Sequence, residues 1–133
     1  MASEKKQYQQ INPSVLLDAA GNDLEVFRDL SATFLEIAPA ILSRLQQAIG
    51  EGNIANVTLE SHSLKGTVAL VGATQLTALL AQIEALSRSA AIDQIKPMLN
   101  DVSARYIATE AEVRQSIIDF QIQPDQADTI KPD

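Results

Sequence analysis

The sequence predicts an all-α protein: an antiparallel up-down four-helix bundle with a short additional N-terminal helix. Three observations lead there. Apolar residues recur at three- and four-residue steps over long stretches, and period-2 alternation is absent. Ala, Leu, Ile and Gln dominate, aromatics make up only 4% and Trp is missing, a mix that suits helices better than strands. The breaks between periodic stretches are short and marked by Gly and Asn, so successive helices must lie antiparallel.

The elements follow in order. In "NPSVLLDAAG", Asn12 can cap a short helix, Pro13 fits its first position and Gly21 ends it. A long second helix starts at Asn22 or Asp23 and stops at "GEGN". Its predicted inward stripe is Phe27, Leu30, Phe34, Ala38, Ile41, Leu45 and Ala48. Pro39 lies inside it and predicts a bend or brief break, because proline lacks a backbone donor and clashes one turn back. Asn53 caps a third helix that ends near Gly72. The fourth, "ATQLTALLAQIEALSRSA", turns Leu76, Leu79 or Leu80, Ile83 and Leu86 inward. The fifth runs from Ile92 to Phe120 on Ile95, Leu99, Val102, Tyr106, Thr109, Val113, Ile117 and Phe120, with Pro97 in its first turns. One domain over residues 12–120 is expected, with flexible termini at 1–11 and 121–133.

Bulk properties exclude several functions. The formal net charge of −7 disfavours DNA and anionic lipid as partners. Cysteine is absent, which removes disulfides and thiolate metal sites. A single histidine and no ligand motif argue against zinc, so no metal or cofactor of its own is expected. The polar start "MASEKKQYQQ" shows no signal peptide and no apolar run spans a membrane, so the expected location is the cytoplasm.

The chemistry concentrates in "SHSLKGTVALVG", residues 61–72, which holds the one histidine, His62. Helix residues advance about 100° each, which places Thr58, Lys65, Gly66 and Ala69 within roughly 60° of His62. Val57, Leu64, Val68 and Val71 fall on the opposite side. His62 is therefore predicted to face solvent, flanked by a cation and a glycine. A mid-helix glycine costs about 1 kcal/mol relative to alanine. Gly66 serves either close helix packing or the close approach of something outside. Ala55, Leu59, Ala69 and Leu70 either pack on a neighbouring helix or, with Thr58, form a ring on which a partner docks.

A neutral imidazole is a nucleophile, and an ammonium one turn away suits an incoming phosphoryl group. No G-x-x-x-x-G-K-[ST] loop, kinase signature or G-x-S-x-G elbow is present, so a partner must supply the phosphoryl donor and any metal.

"HSLKG", followed by "TVALVGATQL" and "IEALSRS", resembles the histidine-containing phosphotransfer domain of two-component phosphorelays. The upstream "FLEIAPAILSRLQQAIGEGN" resembles the segment before that family's histidine, and the likeness spans most of residues 23–90. The resemblance implies that His62 is the phosphoacceptor, through Nε2, between receiver-domain aspartates. It implies that Lys65 steadies phosphoryl charge, that Gly66 leaves room for the receiver, and that Glu84 orients the imidazole. Glu84 could equally be a solvated helix carboxylate. The implied partners are response-regulator receivers, which bring Mg²⁺, and a sensor kinase, hybrid or otherwise. The expectation is a monomeric phosphocarrier rather than an autonomous enzyme. The competing expectation is an acidic helical adaptor that is never phosphorylated, for which His62, Lys65 and Gly66 together have no purpose.

Overall fold

A computed structural model describes residues 8–121 and, within them, only helices and turns. α1 spans Pro13–Ala19, α2 Leu24–Glu51, α3 Ile54–Ala69, α4 Thr74–Arg88, α5 Ile92–Ile95 and α6 Leu99–Gln121, with a 3₁₀ turn at Lys96–Met98 between the last two.

The helix ends are set by local chemistry. The Asn12 side chain accepts from Ser14 N–H, Asp23 from Glu25 and Val26, and Asn53 from Asn56, each satisfying donors that a first helical turn leaves free. α2 closes in a Schellman motif: Gly52 takes φ 68°, Asn53 N–H donates to Ala48 C=O at 2.9 Å and Gly52 N–H to Ile49 C=O at 3.1 Å. α3 closes the same way on Gly72, φ 72°, with Ala73 N–H on Val68 C=O at 3.2 Å. Gly72 is required twice over, since a Cβ there would sit 2.8 Å from the Asn12 backbone, whose N–H donates to Val71 C=O at 3.0 Å.

α2 packs on α3 and α6, α3 on α4, and α4 on α6, closing the ring of an up-down bundle, while α1 lies against α2. Phe27, Leu45, Ile49, Val57, Leu64, Leu76, Leu80, Ile83, Ile95, Val102 and Val113 are essentially sealed in the core. Phe27 meets Phe120 edge to face, with ring centroids 5.0 Å apart.

Two readings of the helices are corrected, and of the bend or break expected at Pro39 the break does not occur. α2 runs through Pro39 without a break. The proline costs about 3 kcal/mol. Phe34 and Ala38 before it and Ile41, Leu42 and Leu45 after it are all buried, and a single such large side chain contributes about 1.5–3 kcal/mol. Leu30 is not in the stripe: it is 38% exposed, and Ser31 takes the inward position at 0%. The alternating steps of four and three from Phe27 land on Ser31, so hydropathy names the wrong neighbour. The fifth helix is divided, because Pro97 sits in the 3₁₀ turn and starts α6 afresh at Leu99.

The N-terminal segment is docked where it is described. Gln9, Gln10 and Ile11 N–H donate to the Glu112 carboxylate at 2.9, 2.7 and 3.1 Å, and the Tyr8 hydroxyl donates to Asp119. Backbone donors bind there regardless of side chain, so polar composition does not reveal it. The remaining expectation of flexible termini concerns residues 1–7 and 122–133, outside the described residues.

Candidate functional site

α3 buries Val57, Leu64 and Val68, and this rotation turns His62 outward with its side chain 68% exposed. The antiparallel course of α4 brings Glu84 alongside, 22 residues later in sequence. Its Oε2 lies 3.0 Å from His62 Nδ1 and 2.7 Å from Arg88 Nη2, and its Oε1 lies 2.8 Å from Lys65 Nζ. The Glu84 side chain is only 8% exposed. The reading of Glu84 as a solvated carboxylate therefore fails.

Glu84 is held down to about pKa 2, first by the hydrogen bond from Lys65 and then by that from Arg88, against desolvation; His62 adds to the lowering. An ionised carboxylate has no proton to give, so in the neutral ring Nδ1 carries the proton and donates it to Oε2. The lone pair is then on Nε2, at the exposed side of the ring.

Around the histidine the outward residues behave differently from one another. A Cβ at Gly66 would meet nothing within 4 Å, so helix packing does not explain this glycine. Ala55, Leu59, Ala69 and Leu70 are exposed, with Leu59 at 60% and Leu70 at 55%. Thr58 departs from the expected docking ring. It is half-buried, and its hydroxyl lies 2.7 Å from that of Ser87, joining α3 to α4.

Two features escape the sequence reading. Arg88 is one; the i,i+4 spacing from Glu84 is the signal that could have found it. The other is an open apolar groove of about 300 Å³, where Leu70, just past α3, meets Leu16 and Ala19 of α1 and Leu30, Phe34 and Ile37 of α2. Assigning Leu30 to the core hides this groove. Among the described residues no group of three or more His, Asp or Glu is placed to hold a metal ion, and no helix is long and apolar enough to cross a membrane.

The site is thus an outward imidazole pinned on a buried carboxylate, in a helical bundle without a nucleotide loop: the arrangement of a phosphoryl carrier. The Hpt-domain family model matches residues 29–116. The chain belongs to that family, and it is a phosphotransfer intermediate of two-component phosphorelays. Its fold is similar to that of histidine-containing phosphotransfer protein B from Pseudomonas aeruginosa PAO1, with a TM-score of 0.76 at 17% identity over 84% of this chain and 96% of that one. No curated protein matches the sequence.

Proposed function

We propose that His62 is the phosphoacceptor, taking a phosphoryl group on Nε2 from a receiver-domain aspartate or a sensor kinase and returning it to a response-regulator aspartate. One observation carries this: the exposed imidazole has its Nδ1 committed to Glu84 at 3.0 Å, which leaves the reactive nitrogen outward.

The Nε2 lone pair forms the N–P bond as the O–P bond to the aspartate breaks and its electron pair stays on the aspartate oxygen. Lys65 supplies positive charge beside the transferring group, and Gly66 lets the receiver backbone approach. Positioning and charge neutralisation carry such a transfer, and little covalent machinery is needed. The receiver brings Mg²⁺. Ala55, Leu59, Ala69 and Leu70, continued by the apolar groove, offer the receiver a docking surface. The protein acts as a cytoplasmic, monomeric carrier with no turnover of its own, because a receiver must have free access to the histidine face.

The test is incubation with a panel of phosphorylated receivers, followed by assay for acid-labile, base-stable label. Wild type takes up label and His62→Gln does not. Uptake by His62→Gln would remove His62 from the chemistry, and a wild type that binds receivers without ever being labelled would be the adaptor instead.

A further inference from the structure

Two cations hold one carboxylate, and they reach it from different helices. Lys65 comes from α3, one turn beyond His62, and meets Oε1; Arg88 comes from α4, one turn beyond Glu84, and shares Oε2 with His62 Nδ1. Both hold the Glu84 carboxyl down, Lys65 the more strongly. Their roles separate once His62 carries a phosphoryl group.

A phosphoryl group brings about −1.5 to −2 charge at neutral pH. Lys65, a compact ammonium on a flexible stem one helical turn beyond His62, is drawn toward it. Glu84, buried at 8% exposure, is then left beside a new anion with one counter-charge fewer. A buried carboxylate in that position takes up a proton or swings away; the first weakens the acceptor that holds the proton on Nδ1, and the second removes it. The Nδ1 proton matters for onward transfer. As the receiver aspartate oxygen bonds to phosphorus, the Nε2–P bond breaks and its electron pair returns to Nε2. With the proton retained on Nδ1, the leaving group is neutral imidazole; without it, the leaving group is imidazolate, a far poorer one.

We propose that Arg88 is a positioning residue for transfer: it keeps the Glu84 carboxylate on Nδ1 of His62 while Lys65 turns to the phosphoryl group. This rests on the reading of His62 as the phosphoacceptor. The groups facing Glu84 are His62 and Lys65 from α3 and Arg88 from its own helix.

The first arm of the test needs no phosphoryl group. Nitrogen-15 imidazole spectra of the full chain, at an alkaline pH where the ring is neutral, report which nitrogen is protonated. Lys65→Gln, which imitates a departed Lys65, retains the Nδ1–H form. Lys65→Gln combined with Arg88→Gln loses it, and Lys65→Gln with Arg88→Lys recovers it. Loss in Lys65→Gln alone, or retention in the Gln/Gln double variant, overturns the proposal.

The second arm uses phosphoramidate, whose P–N bond breaks with release of ammonia as Nε2 takes the phosphoryl group. Arg88→Gln, once labelled, donates to a receiver about tenfold more slowly, and Arg88→Lys recovers most of that rate. Donation by Arg88→Gln at the wild-type rate overturns the role of Arg88 and leaves the relay reading intact. A wild type that takes no label from phosphoramidate or from receivers overturns both.

Discussion

His62 Nδ1 lies 3.0 Å from Oε2 of Glu84, a contact that joins α3 to α4. The carboxylate is buried and ionised, so it fixes the ring's proton on one nitrogen and its lone pair on the other.

Glu84 also gives acid stability a recognisable signature. Its carboxyl titrates near 4.5 ordinarily and at about 2 in the fold. Between those values the unfolded chain binds a proton that the folded chain does not, so stability rises with pH through that window. The contribution of Glu84 is present in full above about pH 4.5 and is lost as pH falls toward 2. Urea unfolding at steps from pH 5 to pH 2 should show a steeper fall in midpoint for wild type than for Glu84→Gln. Parallel curves would mean that the carboxylate is not held down.

Gly66→Leu separates folding from transfer. No neighbour lies within 4 Å of the added Cβ, and leucine is the better helix former by roughly 0.8 kcal/mol. The variant should melt at or above the wild-type temperature and still transfer phosphoryl groups more slowly from a receiver. An unchanged transfer rate would count against the clearance role.

The ends of α3 and α4 predict opposite responses. Gly72 and Ala90 both stand at positive φ, 72° and 57°. Gly72→Ala strains the backbone and drives a Cβ to 2.8 Å from Asn12, so a loss of about 2–4 kcal/mol with loosening of the α1 contact is expected. Ala90→Gly relieves a left-handed alanine and should gain about 0.5–1 kcal/mol. Chemical denaturation of both variants checks the pair.

Ser31 is fully buried, and its hydroxyl finds no hydrogen-bond partner among the described residues. Such an oxygen has lost its water without compensation. Ser31→Ala should therefore stabilise by about 1 kcal/mol, read as a higher thermal midpoint. A lower midpoint would show that the hydroxyl is satisfied in solution.

The correct and incorrect parts of the sequence reading have separate physical origins. Val57, Leu64, Val68 and Val71 mark the buried side of α3 through helical spacing alone, so His62 had to face outward. Capping by Asn12, Asp23 and Asn53 and the stops at Gly52 and Gly72 act over a few residues and are written locally. Leu30 and Ser31 differ by one position, and hydropathy pointed to the leucine, whereas packing against α3 and α6 selected the serine.

The sequence by itself determined the helical class and the outward histidine, because each depends on periodicity within one helix, while the open space at Gly66 was seen only in the fold. Tertiary structure alone decided that the buried Glu84 binds His62, that Lys65 and Arg88 converge on it from two helices, that α2 stays whole through Pro39, and that the backbone before α1 is bound by Glu112. Each of these depends on which surfaces of different elements meet, and no spacing along a single chain segment encodes that meeting.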